Sequence, residues 1–151
     1  MPKIICPQNC KACFDQGDSD VKSLTFGTYS LPVLPWNCKQ TDTIYLVECN
    51  ICDRRRVYDG ETGGQINRRI GKHYTNKTIK RSNKLDQHFL IEHPQTPMEK
   101  NVTVYIVWEP ILDKNKREGR EQWIRRQIAL GEKAAGITET CLLNTNMTPM
   151  C

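Results

Sequence analysis

A pair of cysteines, Cys49 and Cys52, lies between two short runs that favour β-strand, and this arrangement strongly constrains the fold. The first run spans residues 43–49 and the second spans residues 56–59. Both are rich in β-branched and aromatic side chains, which fit a pleated sheet. We therefore predict a β-hairpin that carries both cysteines in its turn. A C-x2-C turn presents two sulfur atoms on one side, so this pair can bind one metal ion.

Two histidines offer the remaining ligands of such a site. His88 and His93 are separated by four residues, within the usual spacing for a histidine pair in a zinc site. Two thiolates and two imidazoles would close a tetrahedron around zinc, and a closed site is structural. The alternative is a pair of half-buried thiols and two ordinary histidines. The four residues together favour zinc, which would join the hairpin to the segment that carries the histidines.

The other cysteines suggest a second metal site near the N-terminus. The chain has eight cysteines, and its first residues, 1–6, lack the apolar run of a secretion signal. We therefore expect an intracellular protein, in which closely spaced cysteines bind metal more often than they form disulfides. A secreted disulfide scaffold is the alternative. Four cysteines would suffice for an all-cysteine zinc site, namely Cys6, Cys10, Cys13 and Cys38. Cys141 and Cys151 have no obvious partner, and we expect plain thiols there.

The remaining pattern predicts a small α/β domain of the α+β type. Thr62 and Gln65 have capping-box spacing before a helix at about 63–75. The later elements are a helix from about residue 82 or 83 to 92 that buries Leu85 and Phe89, a third strand at 102–108, and a helix at about 114–130 that ends at Gly131. Trp108 and Trp123 are expected in the core. No run reaches the roughly 18 apolar residues that span a bilayer.

We therefore expect two regions. Residues 1–43 form a Cys-rich N-terminal segment, irregular apart from a β-like run over 24–33. Residues 44–151 form the domain itself, in which a β-hairpin begins a three-stranded sheet that helices flank.

Charge is concentrated in the middle of the chain. The net charge is +5, and residues 44–93 hold ten basic and six acidic side chains. No acid occurs between Thr62 and Leu85, whereas seven basic residues do: Arg68, Arg69, Lys72, Lys77, Lys80, Arg81 and Lys84. A field of this kind suits a phosphate backbone, and we expect DNA as the partner. A solvated basic helix face is the alternative, and basic side chains alone do not distinguish DNA from RNA.

Several of these residues together resemble a known family. Tyr58, Gly60, Thr62, Arg69 and His73 follow the arrangement Y-x-G-x-T-x6-R-x3-H, and Tyr45 ends a Thr-Ile-Tyr run thirteen residues before Tyr58. This arrangement resembles the GIY-YIG nucleases. More narrowly, the chain is similar to the endonuclease domain of Penelope-like retroelements, which carries a C-x2-C pair between its tyrosine motifs, paired histidines and upstream linker cysteines.

The resemblance implies a metal-dependent DNA endonuclease that nicks target DNA. It implies catalytic roles for Tyr45, Tyr58, Arg69 and His73, with a glutamate on the last helix that holds Mg²⁺ or Mn²⁺. That glutamate usually precedes the Ile of a Trp-Ile pair by four residues, but here that position is Arg120. We assign Glu121, with Glu118 as the alternative. The resemblance also implies a nuclear location and a possible reverse transcriptase domain in a parent protein.

Two further positions bear on this interpretation. The family has a supporting asparagine after the last helix, for which Asn144 is the candidate, and the competing alignment would place Thr138 there. Asp59 stands where the family has Ile or Val. A strand alternates its faces, so Asp59 should point away from Tyr58 towards the helix-covered side. We expect Arg54, Arg55 or Arg56 to reach it there, or else a looser hairpin.

The chemistry of the residues agrees with this activity. Phosphodiester hydrolysis needs an activated water, a counter-charge for the crowded phosphate and help for the leaving oxygen. Paired strands can bring two phenols to one face, and Arg69 and His73 lie one helical turn apart. The rival interpretation is a catalytically inactive, zinc-stapled DNA-binding module on the same scaffold, inactivated by Asp59 and the displaced glutamate.

Overall fold

The predicted hairpin forms the centre of a three-stranded antiparallel sheet. The structure is a computed structural model that describes residues 22–35, 38–75 and 83–144. The sheet has the order β4-β3-β5, and its strands are β3 (Thr43–Cys49), β4 (Val57–Thr62) and β5 (Val102–Ile106). The expected third strand at 102–108 is two residues too long. Beyond the last paired residue, Val107 N still donates to the Ile44 carbonyl (3.1 Å), while the Ile106 carbonyl accepts from Leu34 N (2.9 Å).

A second, two-stranded sheet precedes the first. The expected single β-like run is a hairpin of β1 (Ser23–Phe26) and β2 (Tyr29–Pro32). Leu24, Phe26 and Leu31 pack in the same hydrophobic cluster as side chains of the larger sheet. The described part of the Cys-rich N-terminal segment therefore packs on the domain. The division at residue 43 stays a prediction.

Three α-helices lie within the described residues: α1 (Ile66–Thr75), α2 (Lys84–Glu92) and α3 (Lys114–Ala134). A 3₁₀ turn, Met98–Lys100, precedes β5. The second helix agrees with the prediction, since Asn83 caps it and Leu85 and Phe89 are buried. The class is therefore mixed α+β, with two small antiparallel sheets and helices packed on both faces of the larger one.

The expected capping box of α1 is wrong. The Thr62 hydroxyl accepts a hydrogen bond from Gly64 N (3.2 Å) in a local turn, and the helix starts at Ile66 rather than near residue 63. The first N–H groups of the helix donate instead to backbone carbonyls of an earlier segment. Ile66 N donates to the Gln40 carbonyl (2.9 Å) and Asn67 N donates to the Cys38 carbonyl (2.8 Å). Backbone groups far away in sequence thus replace the side-chain cap.

The expected end of α3 at Gly131 is also wrong. Gly131 lies inside the helix, where an added Cβ would come within 2.5 Å of the Phe26 carbonyl oxygen. Glycine at this position lets the helix backbone approach the turn of the first hairpin closely. Thr28 N of that turn donates to the Gly131 carbonyl (3.0 Å). The helix ends at Ala134 with Ala135 as its C-cap, and Gly136 follows with φ of 80°. Ile137 N closes a Schellman motif by donating to the Glu132 carbonyl (2.9 Å).

The two faces of the three-stranded sheet carry two separate cores. Tyr45, Val47 and Tyr58 belong to the core that contains residues of α1 and α2. Leu46 and Val57 belong to the other core, beneath α3 and the first hairpin. Since strand side chains alternate, this division gives the tyrosines one face and Asp59 the other. The face with the tyrosines is the one that the basic helix α1 covers.

The two tryptophans expected in the core are only partly buried. Trp108 and Trp123 line an open cleft, and the guanidinium of Arg120 lies 4.7 Å and 4.8 Å from their ring centroids. The two rings thus pack against the core on one side and against a stacked cation on the other. None of the helices in the described ranges combines the length and apolarity that crossing a membrane requires.

Candidate active site and metal centre

Three of the predicted site residues meet around one phenol. The hydroxyl of Tyr45 accepts a hydrogen bond from Arg69 Nε (3.2 Å) and lies 3.1 Å from His73 Nε2. Arg69 and His73 are four residues apart on α1, so they leave the helix on the same side. Tyr45 stands at the centre of β3, directly beneath that side. Strand and helix periodicity therefore combine to gather a phenol, a guanidinium and an imidazole.

The second tyrosine belongs to the same cluster. The Tyr58 ring lies 6.5 Å from the Tyr45 ring and 5.5 Å from the His73 ring, centroid to centroid. In the sheet register Tyr58 pairs with Val47, and Tyr45 pairs with Gly60. A Cβ on residue 60 would meet the Tyr45 ring at 2.6 Å. Glycine at this position therefore gives the Tyr45 phenol the space in which it meets the other site residues.

Both phenols are held in the protonated form. Burial raises the pKa of Tyr45, and the neighbouring Tyr58 raises it further, while Arg69 acts in the opposite direction. Burial likewise raises the pKa of Tyr58 against the opposing effect of Arg69. A fully buried phenol that keeps its hydrogen is a donor that can pass a proton on, and not a ready-made phenolate.

One residue of the cluster was not predicted. Asp86 Oδ1 lies 2.8 Å from His73 Nδ1, and both side chains are buried. Asn83 Oδ1 accepts from Asp86 N (2.9 Å), so the cap of α2 fixes the first turn that carries Asp86. The capping signal at Asn83 is visible in the sequence. The contact with His73 is not, because it depends on how α2 packs against α1.

Glu121, assigned as the cation-holding glutamate, lies on the buried side of α3. Its neighbour Arg125 pairs with it through an N–H···O contact one helical turn away. Burial raises the pKa of Glu121, and Arg125 opposes that shift. The alternative, Glu118, is paired instead with Lys114 at 3.8 Å and is partly exposed.

The expected partners of Asp59 are wrong. Asp59 is fully buried on the α3 side of the sheet, and its ion-pair partner is Arg125, 3.7 Å from Oδ2. Arg54 and Arg56 pair with Glu139, and Arg55 pairs with Glu48. These arginines lie in or beside the hairpin turn and pair with residues near it, whereas α3 crosses over Asp59. Burial raises the pKa of Asp59 well above its usual value, and the nearby Glu121 adds to the effect.

Asn144 has a defined structural role. Its side-chain oxygen accepts from Asp59 N (2.7 Å) and its amide nitrogen donates to the Asp59 carbonyl (2.9 Å). The preceding residues run along the outer edge of β4, where Leu143 N donates to the Val57 carbonyl (2.8 Å). Asn144 therefore fixes the backbone next to Tyr58. Thr138, the competing candidate, is exposed, near the end of α3.

The four residues predicted to bind zinc converge. Their ligand atoms all lie within 4.8 Å of one another. A tetrahedral zinc with Zn–S of about 2.3 Å and Zn–N of about 2.05 Å sets S–S separations of about 3.8 Å and S–N separations of about 3.6 Å. The Cys49 and Cys52 sulfurs are 3.8 Å apart, and the distances from Cys49 to His93 Nε2 and from Cys52 to both Nε2 atoms are 3.3–3.5 Å. The donor set therefore fits zinc in both chemistry and spacing.

The ligand histidines are suited to metal binding at neutral pH. Burial lowers the pKa of His88 to about 4, with further contributions from His93 and Arg56, and burial also lowers that of His93. Neutral imidazole is the ligand form. The cluster joins the turn of the β3–β4 hairpin to α2 and the residue after it. Of the proposed second zinc set, Cys38 is buried near the start of α1, and Cys6, Cys10 and Cys13 lie outside the described residues.

The predicted DNA-binding residues lie on two helices where they are described. Arg68 and Lys72 are exposed on α1, on the turns that carry Arg69 and His73. Lys84 is partly buried in the first turn of α2. Lys77, Lys80 and Arg81 fall outside the described residues. The described cations thus flank the Tyr45 cluster.

Comparison with known proteins identified no relative of the chain. No protein-family model matches the chain, and none of the curated proteins or solved structures searched matches it.

Proposed function

We propose that the protein is a metal-dependent DNA endonuclease of the GIY-YIG type that hydrolyses phosphodiester bonds. The observation that carries the proposal is the convergence of Arg69 Nε and His73 Nε2 on the Tyr45 hydroxyl. This set supplies two needs of the reaction: a cation for the phosphate and a path for the proton of the attacking water. The order β4-β3-β5 with the tyrosines on one face supports the same assignment.

Arg69 would bind the scissile phosphate. Its side chain is half-buried, and its Nε is engaged by Tyr45. That contact orients the planar guanidinium, whose fork geometry matches phosphate oxygens. An oriented cation stabilises the charge that develops as the phosphate is attacked, and it needs little rearrangement at that moment.

Tyr45 and His73 would remove the proton of the water. The Tyr45 oxygen would accept the water proton while its own hydrogen moves along the 3.1 Å contact to His73 Nε2. The phenol ends neutral and the imidazole carries the proton, so the charge balances. The raised pKa of Tyr45 favours this transfer over a stable phenolate. Tyr58, beside both rings, would orient the water.

Glu121 would hold the divalent cation, Mg²⁺ or Mn²⁺. Such a cation is commonly bound by one or two carboxylates together with substrate phosphate, so a single glutamate is a sufficient protein ligand. When bound, it would make the water more acidic and stabilise the leaving oxygen. Glu121 would first have to exchange its contact with Arg125.

The biological setting remains that implied by the resemblance. We propose target-site nicking for a retroelement, a nuclear location and, in a parent protein, a reverse transcriptase domain. Zinc would be structural, and Arg68, Lys72 and Lys84 would bind the DNA backbone beside the cut.

Incubation of supercoiled plasmid with Mg²⁺ or Mn²⁺ tests the activity. We expect nicking that falls about 100-fold or more in Arg69→Ala, as for loss of an oxyanion donor, and disappears in Glu121→Ala. Glu118→Ala is the matched control, since Glu118 is a partly exposed glutamate on the same helix. The proposal fails if wild type does not nick. The assignment of Glu121 fails if only Glu118→Ala loses activity.

One observation favours the rival function, a zinc-stapled DNA-binding module without activity. Glu121 is neutralised by Arg125, and buried Asp59 lies beside both. If this arrangement excludes the cation, the protein will bind DNA with salt-dependent affinity but will not nick it. Plasmid binding without nicking at any Mg²⁺ or Mn²⁺ concentration supports this rival.

A further inference from the structure

Asp86 stands directly behind the histidine of the cluster. Its Oδ1 lies 2.8 Å from His73 Nδ1, and the two side chains are 3% and 1% exposed. At the other side of the ring, His73 Nε2 lies 3.1 Å from the Tyr45 hydroxyl. The three groups thus form a buried line from carboxylate through imidazole to phenol.

The position of the hydrogen on the His73 ring decides whether the imidazole can accept the proton of Tyr45. A neutral imidazole has one N–H and one lone pair. If Nδ1 carries the hydrogen, it donates to Asp86, and Nε2 accepts the Tyr45 hydroxyl. If Nε2 carries the hydrogen, Nδ1 can accept from the amide nitrogen of Asn83 at 3.0 Å, but its lone pair then faces a carboxylate oxygen at 2.8 Å. The first tautomer leaves the Asn83 amide N–H facing the Nδ1 hydrogen, but the carboxylate is nearer and charged, and a hydrogen bond to a charged acceptor is the stronger one, so it favours the first tautomer.

We propose that Asp86 is a positioning residue, which holds His73 in the tautomer whose Nε2 accepts the proton of Tyr45. In this tautomer the Tyr45 hydrogen points to His73, and its oxygen is left to accept from Arg69 and from the attacking water. The role in catalysis rests on the proposed nuclease function. The tautomer is a property of the folded chain alone.

The position of Asp86 is itself held from two sides. Its backbone N–H donates to Asn83 Oδ1 (2.9 Å) in the cap of α2. Two residues further on, His88 lies in the metal cluster with Cys52, 3.3 Å from its sulfur. The helix that carries the carboxylate is thus anchored at its cap and at the metal centre.

The tautomer is tested by ¹⁵N NMR of the imidazole ring in the full-length, zinc-loaded chain at neutral pH, without DNA. We expect the Nδ1–H form of His73, and the Nε2–H form would overturn the proposal. This measurement requires no variant and no nuclease activity. Its outcome is therefore separate from the success or failure of the proposed function.

The effect on catalysis is tested with Asp86→Asn, which keeps the size of the side chain. We expect kcat to fall by roughly 10²- to 10⁴-fold with KM unchanged, as for the equivalent change behind a catalytic histidine. NMR should show the Nε2–H form of His73 in a folded variant. Glu99→Gln changes an exposed carboxylate outside the cluster in the same way, and its kcat and KM should match those of wild type. A folded Asp86→Asn protein with wild-type kcat, or with its loss confined to KM, would overturn the positioning role.

Discussion

The side chain of Asp59 works against the stability of the fold. It is fully buried beside Glu121, and Arg125 approaches only to 3.7 Å. Burial raises its pKa above the value of about 3.9 that an unfolded chain gives. The folded state therefore binds the Asp59 proton more tightly than the unfolded state does. Below about pH 4 Asp59 is protonated in both states, and it does not lower the free energy of unfolding. As the pH rises from there towards the pKa of the folded state, the free energy of unfolding falls.

Asp59→Asn should consequently stabilise the protein at pH 7. The amide carries no charge to desolvate and can donate to Glu121, and Arg125 keeps Glu121 as its partner. We expect about 1–3 kcal/mol in the free energy of unfolding by urea denaturation. The gain should vanish near pH 3. Asp53→Asn, an exposed control in the hairpin turn, should change little, and equal gains in both variants would refute the explanation.

At the scale of residues, the periodicity of strands and helices was sufficient to predict part of the site. Tyr45 and Tyr58 share a face because strands alternate, and Arg69 and His73 share a helix side because they are four apart. The partners of Asp59 and His73 could not be predicted. Arg125 and Asp86 reach them from other helices, and no periodicity in the chain relates those helices to one another.

At the scale of elements, the candidate zinc site brings the hairpin turn and α2 together. Cys49 and Cys52 come from the hairpin, and His88 and His93 come from α2 and the residue after it. Loss of the ion should therefore loosen α2, and with it Asp86, more than it disturbs the sheet.

Removal of zinc by a chelator should lower Tm by an amount set by the free energy of zinc binding. A ligand present at about 1,000 times its Kd contributes about 4 kcal/mol, which corresponds to roughly 8–16 °C for a chain of this size. Differential scanning calorimetry with and without chelator measures the shift. Cys49→Ser should lose one zinc per chain by mass spectrometry and show a smaller fall in Tm on addition of chelator. Cys141→Ser, a buried cysteine in the other core, should keep both; a Cys49→Ser protein with full zinc content would exclude this site.

The elements themselves were largely predictable, and their ends were not. The strand Thr43–Cys49 and the helix with its Asn83 cap follow the local pattern. The start of α1 and the end of α3 depend on long-range contacts. Carbonyls of residues 38 and 40 satisfy the first N–H groups of α1, and Gly131 serves a helix-to-turn contact instead of a terminus.

At the scale of the whole molecule, the net charge of +5 is the property most relevant to DNA. The described basic residues that flank the Tyr45 cluster, Arg68 and Lys72, are exposed on one helix. Each phosphate contact releases counterions, so the logarithm of the binding constant should fall with the logarithm of salt concentration by about 0.9 per contact.

Arg68→Ala and Lys72→Ala should each make that salt dependence shallower by about one unit and weaken binding equally for unrelated sequences. Fluorescence anisotropy with labelled duplexes at several salt concentrations measures both effects. Lys133→Ala, an exposed lysine at the far end of α3, is the matched control. An unchanged slope in both α1 variants would rule out this face as the DNA-binding surface.

The sequence by itself determined the α+β class, the hairpin with its cysteine pair and the shared face of the two tyrosines. These features depend on periods of two or 3.6 residues and on ligand spacing, which are local properties of the chain. Only the tertiary structure decided that Arg125 faces Asp59 and that Asp86 faces His73. Such contacts form between elements distant along the chain, and their energy exists only once the elements are packed.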